Sequence, residues 1–334
     1  MNGKGIRVCV LGAGAIGGYL GIPIAKAGAE VSVLARGATL AVLRQSGWTL
    51  ESGEDISTVH VNAVEAEGIA SLGPQDVVVI AVKAYALADV VHLVPPLLGP
   101  HTVVVPALNG VPWWFTHGRA EPALAQPLAA LDPAGRISAM IPGHQVLGAV
   151  VYPACSTPEP GVVRHASGSR LVFGEIAGAS STERLSGWVN LLRQAGLDAF
   201  ASSDIRAEVW MKLLGNACFN PVSVLAGCST DQLIDNPAIF ELFCALMEET
   251  LAVGRALDIP LGVTPAERIA VTRKLGNVKT SMLQDAEAGK PLEVEALIGA
   301  VVEIARRLGV PVPRGEALYA LTKMRAHVLA RQAL

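Results

Sequence analysis

A chain of 334 residues is longer than a single hydrophobic core usually serves, so two domains are expected. With 51% hydrophobic and 16% charged residues, and 26 basic against 29 acidic side chains for a formal net charge of −3, the composition excludes a disordered chain and offers no basic block for nucleic acid. Five cysteines in no C-x-x-C pair supply no disulfide framework and point to reduced thiols in the cytoplasm.

Residues 8–37, "VCVLGAGAIGGYLGIPIAKAGAEVSVLARG", follow Lys4 and Arg7 and could pass for a secretory signal. The mean hydropathy of +0.44 also raises a membrane span. Gly12, Gly14, Gly17, Gly18, Gly21 and Pro23 interrupt the stretch, and no small-residue cleavage site precedes a polar sequence, so neither signal nor span is expected. Instead the strand "RVCVLG", a helix over residues 14–28 and the strands "EVSVLA", "DVVVIAV" and "TVVVPAL" alternate as buried parallel strands with crossovers do. Residues 112–148, Pro/Ala-rich with "WWF" at 113–115, read as a loop-rich insertion with one short helix. "HQVLGAVVYPAC", "GVVRHA" and "SRLVFGEIAG" read as antiparallel strands extending the sheet, with a hairpin around Ser167 and Gly168. From Glu183 the pattern turns amphipathic, and from Asp204 almost everything reads as helix, broken at Pro221, Gly227, Pro237, Pro260, Pro265, Pro291 and "GVPVPRG". A boundary near Ser203 then gives a fold of class α/β: an N-terminal Rossmann-type doubly wound sheet over residues 1–203 and an all-helical C-terminal domain over 204–334.

"GAGAIG" gives each glycine a task after a strand and before a helix. Gly12 makes the tight turn, Gly14 admits a pyrophosphate and Gly17 lets helix and strand pack, while Ala15 and Ile16 open the helix whose amides face the phosphates. An NAD site would end the second strand in Asp or Glu, but here it ends in Arg36, which suits a 2′-phosphate and favours NADPH/NADP+. A surface arginine without a ligand is the alternative. Lys83 and Asn109 follow the next two strands, where such sheets bind ligands, although Asn109 with Gly110 is also a common turn pair.

In "DIRAEVWMKLLGNACFNPVSVL" an otherwise apolar helix carries Lys212, Asn216 and Asn220 at every fourth residue. At ~100° per residue they share about 80° of arc. A buried polar stripe needs partners or a wet cavity, and the alternative is Lys212 reaching solvent with the asparagines capping turns. Ser281 and Asp285 share a helix, Pro291 suits the start of the next, and Glu293 and Glu295 fall in its first turn, where a helix dipole also favours them. Metal-ligand spacings and a G-x-S-x-G elbow are missing, so no metal is expected.

"LGAGAIGG", "VKAYAL", "LNGV", "WMKLLGNACFNP", "TSMLQDAEAGKPLEVE" and "GVPVP" occur in the order of the ketopantoate reductase (2-dehydropantoate 2-reductase) family, which the chain resembles over nearly its whole length. The resemblance implies an NADPH-binding domain, a helical domain and a small 2-oxo acid, ketopantoate, held in the cleft. Lys212 would be the catalytic lysine, Asn216, Asn220 and Ser281 substrate ligands, Asn109 and Lys83 neighbours of nicotinamide and substrate, and Glu293 a partner of the substrate or the lysine. Burial should lower the Lys212 pKa and Glu293 raise it, leaving the net direction open. The insertion with its adjacent tryptophans, and Val278 where an asparagine is expected, are departures that bear on which 2-oxo acid is reduced. A β-hydroxyacid dehydrogenase and a non-catalytic NADP(H) sensor are the other readings. No membrane or nucleic-acid partner is expected. A homodimer is, because "LFCALMEETLAVGRALDIPL" onward supplies more apolar faces than a small helical domain hides.

Overall fold

The computed structural model describes residues 5–178 and 181–332. The chain divides into two compact units, one of residues 1–109 and 136–205, the other of residues 110–135 and 206–334. A single boundary at Ser203 therefore gives way to an interleaved division, in which most of the insertion belongs with the helices.

The first unit opens with β1 (Arg7–Leu11), α1 (Ala15–Lys26), β2 (Glu30–Leu34) and α2 (Gly37–Ser46). It continues through β3 (Trp48–Ser52), β4 (Asp55–Val59), β5 (Asn62–Val64), β6 (Val77–Ile80), the short α3 (Leu87–Val90) and β7 (Val103–Pro106). After the insertion come α4 (Arg136–Met140), β8 (Leu147–Val151), β9 (Ala154–Glu159), β10 (Val162–Ser167), β11 (Leu171–Glu175), α5 (Glu183–Gln194) and β12 (Ala199–Ala201). Five strands pair in parallel in the order β5-β2-β1-β6-β7, the Rossmann-type arrangement whose direction of winding reverses between β1 and β6. Every residue of β6 is fully buried, which explains its unbroken Val/Ile run.

Two further sheets replace the simple extension read from the sequence: β4-β3-β10-β9 and β12-β11-β8. Among the described residues an isolated parallel bridge joins Val104 of the end strand β7 to Val146, just before β8. The hairpin expected around Ser167 and Gly168 is absent, because β10 pairs with β9 across Pro160 and Gly161 and with β3, while β11 pairs with β8 and β12. Gly168, at φ +71°, is instead a corner between two sheets. The β3–β4 hairpin has no counterpart in the sequence reading. Its Trp48, wholly buried, lies against the glycine face of α1: a methyl group at Gly21 would come 2.7 Å from the Trp48 ring, and one at Gly18 3.0 Å from its Nε1.

The second unit is helical, as expected: α6 (Ile205–Ala226), α7 (Thr230–Asp235), α8 (Pro237–Ala256), α9 (Pro265–Arg273), α10 (Ser281–Glu287), a π-turn at Glu295–Gly299 running into α11 (Ala300–Leu308), and α12 (Pro313–Gln332). Starts are capped as the sequence dictates. The Asn236 side chain accepts from Ile239 N before Pro237, Thr264 and Glu267 form a capping box, and Thr280 accepts from Leu283 N. Pro291 does not open a helix. Helical structure resumes at Val294, so Glu293 stands just before the π-turn and only Glu295 lies in its first turn.

The insertion is fastened within this unit through its backbone. Arg206 donates to the carbonyls of Phe115 and His117 at 2.8 and 2.6 Å, and the Glu303 carboxylate accepts from the amides of Ala129 and Ala130 at 2.9 and 2.8 Å. Arg307 donates to the Gln126 and Pro127 carbonyls, both at 2.7 Å. Trp113, Trp114 and Phe115 are buried, and Phe115 stacks on Trp210 of α6 at 5.5 Å. The adjacent tryptophans are core, several short 3₁₀ turns replace the expected loop, and the one short helix of the stretch, α4, falls to the first unit.

Candidate active site

In the first unit the end of β1 turns at Gly12, whose φ of +115° suits only glycine, and a methyl group there would meet the Ala81 carbonyl oxygen at 2.9 Å. A methyl group at Gly17 would overlap the Gly12 carbonyl oxygen, whereas the space around Gly14 is open for 4 Å. The loop is thus closed on its protein side and vacant on the other, the shape a pyrophosphate needs. Ala15 and Ile16 form the first turn of α1, capped by Gly14.

Beside the loop lies a cavity of about 960 Å³. Gly12, Ala13 and Gly14 border it, as do Arg36, Gly37 and Thr39 at the start of α2. Arg36 is exposed and occupies the N-cap of α2, so its guanidinium and that helix's first amides belong to one positive rim. Glu65, Glu67, Asp89 and Glu159 are also in the lining, and Arg44 stands 3.5 Å from Glu65. Thr157 to Gly161, from the end of β9 and the turn into β10, also line it and were not anticipated, because strand pairing carries them there. The cavity and vacant loop fit a dinucleotide. Lys83, half-buried, caps the 3₁₀ turn after β6, and half-buried Asn109 follows β7.

In the second unit, Lys212, Asn216 and Asn220 lie along α6 amid buried Trp210, Leu213, Leu214, Ala217 and Phe219. Lys212 retains some exposure, yet the surrounding protein pushes its ammonium down to about 8, with Glu293 pulling the other way. Desolvation wins. Glu293 itself is 7% exposed and its neighbour Leu297 N donates to its carbonyl. A lysine with a pKa near 8 is largely protonated at neutral pH and readily gives the proton up, which is what a general acid for an alkoxide requires. Asn220 is buried, and its Nδ2 lies 3.5 Å from Oγ of Ser281, the first residue of α10. So Lys212 is coupled to Glu293, and Asn220 to Ser281, within one unit. Among the described residues no cluster of His, Cys, Asp and Glu could hold a metal ion, and no helix is long and apolar enough to cross a membrane.

Residues 8–178 match the sequence profile described as ketopantoate reductase PanE/ApbA, and residues 204–326 match its companion, ketopantoate reductase PanE/ApbA C terminal. A 2-dehydropantoate 2-reductase of Mesorhizobium japonicum is 40% identical over 320 residues, 95% of this chain and 97% of that one. The chain belongs to the ketopantoate reductase family. A crystal structure of a candidate ketopantoate reductase from Ralstonia solanacearum MolK2 superposes with a TM-score of 0.91 at 45% identity, covering 97% of this chain and 98% of the other. A D-mandelate dehydrogenase solved with NADH and anilino(oxo)acetate shares the fold alone, at a TM-score of 0.82 and 17% identity over 97% of this chain and 99% of that one. Ketopantoate reductases are NAD(P)H-dependent oxidoreductases acting on a CH–OH group, and this chain carries that family's Rossmann-type unit.

Sequence reasoning missed Ser223, three residues beyond Asn220 and wholly buried. The stripe of Lys212, Asn216 and Asn220 continues onto it, so a helical projection carried one turn further finds it.

Proposed function

We propose that this chain reduces ketopantoate to pantoate with NADPH in the cytoplasm. The observation that carries this reading is Lys212, a cation near pKa 8 on an apolar helix, in line with Asn216 and Asn220 and in the field of Glu293. The five cysteines are free, as suits a reducing compartment.

When bound, the cofactor supplies a hydride to the C2 carbonyl carbon of the 2-oxo acid. Gly12, Gly14 and Gly17, with the first turn of α1 at Ala15 and Ile16, would hold its pyrophosphate, and Arg36 its 2′-phosphate. Lys83 and Asn109 would border the nicotinamide, Asn109 also meeting the substrate. Charge developing on the C2 oxygen is met by the Lys212 ammonium, which stabilises it and then transfers a proton from Nζ to give the hydroxyl. Glu293 keeps that ammonium protonated against the desolvation that would neutralise it. Asn216, Asn220 and Ser281 hydrogen-bond the substrate's oxygens and set its carbonyl toward Lys212. Arg36 favours NADPH over NADH, since an acidic residue at that place would repel the 2′-phosphate.

A homodimer is part of the same proposal. The apolar faces of α8, among them Phe243, Leu246, Met247 and Leu251, are buried within the unit, but Leu321, Met324 and Val328 of α12 stand 60%, 63% and 37% exposed at i, i+3 and i+7. A contiguous apolar stripe of that spacing suits helix-to-helix contact with a second copy. Oxidation of NADPH and NADH followed across a panel of 2-oxo acids tests the reaction. Ketopantoate is expected to give the highest kcat/KM, and turnover confined to a different 2-oxo acid would move the substrate while keeping the chemistry.

A further inference from the structure

Two assigned substrate ligands lie on different helices, Asn220 on α6 and Ser281 on α10, and their direct link is weak. The 3.5 Å from Asn220 Nδ2 to Ser281 Oγ is the long limit of a hydrogen bond and cannot set their spacing. One step behind each lies a much tighter connection. Ser223 Oγ is 2.6 Å from Thr280 Oγ and 2.8 Å from the Asn220 carbonyl oxygen, and Thr280 Oγ accepts from Leu283 N at 3.2 Å. Ser223 is 0% exposed and Thr280 8%, so water does not compete for these atoms.

Proton counting fixes the direction of the chain. Ser223 donates its one hydroxyl proton to the Asn220 carbonyl. Thr280 must then donate to Ser223, and its own oxygen receives the Leu283 amide. Each group donates once, and such aligned chains polarise and stiffen one another. With the long Asn220–Ser281 contact the four residues close a ring: Asn220, Ser223, Thr280, Ser281.

We infer that Ser223 and Thr280 are positioning residues for substrate recognition: their buried hydroxyl pair holds the start of α10 against α6 and so fixes the distance between Asn220 and Ser281. The inference rests on the reading of those two as substrate ligands. Both hydroxyls belong to buried residues, whereas Ser281 is exposed, so the pair acts from behind the ligands.

The test compares the cofactor-loaded enzyme with Ser223→Ala, Thr280→Val and Thr280→Ser. Displacing one ligand of a small substrate should raise the KM for ketopantoate about tenfold in the first two variants, with kcat changing less and NADPH affinity unchanged. Thr280→Ser keeps the hydroxyl and should return KM to within about twofold of the parent. In the Ser223→Ala background, Ser281→Ala should raise KM little further, because Ser281 is already displaced. Unchanged KM in both hydroxyl-deleted variants, or fully additive effects with Ser281→Ala, would overturn the inference. Should Ser223→Ala not fold, the Thr280→Val and Thr280→Ser pair decides by itself. If Asn220→Ala and Ser281→Ala leave KM unaltered, the substrate-ligand reading has failed, a result distinct from silent Ser223 and Thr280 variants beside impaired Asn220 and Ser281 ones.

Discussion

The two units prepare for their ligands by opposite means. The first relies on backbone: a loop whose shape depends on the side chains missing at Gly12 and Gly17, with open space at Gly14 and the first turn of α1 beside it. The second uses side chains, a lysine, two asparagines, a serine and a glutamate set on helices whose other faces are packed core. Backbone recognition binds a phosphate without discriminating chemistry, and side-chain placement supplies reactivity. Changes in the first unit should therefore act on cofactor binding, and changes in the second on the substrate, its affinity and its turnover.

Lys212→Ala puts that division to its hardest test. Loss of both proton donation and charge stabilisation should cut kcat by about 100- to 10,000-fold while NADPH affinity, read by fluorescence titration, stays near the parent value. A folded variant keeping more than about a tenth of its activity would remove Lys212 from the chemistry and direct attention to Lys83. Gly17→Ala is the converse. Its methyl group overlaps the Gly12 carbonyl and must shift the loop, so the NADPH dissociation constant should rise about 100-fold, with no movement of the Lys212 titration. Arg36→Ala sharpens the comparison within the cavity proposed for the cofactor, whose lining holds exposed Arg36 together with Glu65, Glu67, Asp89 and Glu159. The KM for NADPH should climb about tenfold and that for NADH hardly at all, and equal shifts would place the 2′-phosphate elsewhere.

A smaller effect concerns pH. With the Lys212 ammonium brought down to about 8 and proposed to act as the proton donor, kcat should fall as pH rises through that value. Glu293→Gln removes the carboxylate that opposes desolvation, so the descending limb should move to lower pH, and a limb moving upward would reverse the assigned sign. Least disruptive to catalysis is Leu321→Asp on α12: the proposed homodimer predicts a parent that sediments as a dimer and a variant that sediments as a monomer, with the reaction itself nearly unaltered.

Periodic and local features were legible in the sequence. The alternation of strands and helices, the "GAGAIG" turn and the helical second half follow from patterns of nearby residues, and the i+4 recurrence of Lys212, Asn216 and Asn220 marked their helix face before any coordinates. What failed was pairing over distance. "GVVRHASGSRLVFG" alternates well enough for a hairpin, yet β10 finds its partners in β9 and β3, a choice made by tertiary packing that no window of sequence contains. The insertion went astray for a related reason: Arg206, Glu303 and Arg307 grip its backbone carbonyls and amides, groups that every residue carries and no sequence advertises. Glu293 was read as lying inside the first turn of a helix that in fact starts after it, because Pro291 satisfies the usual signal for a start.

The glycine face of α1 against Trp48 has a consequence for folding. Gly17, Gly18 and Gly21 each forfeit about 0.5–1 kcal/mol of helix stability relative to alanine, and Pro23 removes a hydrogen bond, so this segment has little tendency to be helical by itself. It becomes a helix by docking. The indole comes from β3, outside the parallel sheet, on a hairpin that follows α1 by some twenty residues in the chain and closes onto β10 from more than a hundred residues later. The amides at the start of α1 therefore depend on partners that come from later in the chain, Trp48 of β3 and Val163 of β10, as well as on β1, so the glycine loop by itself has the sequence of a nucleotide site without all of the packing that holds it.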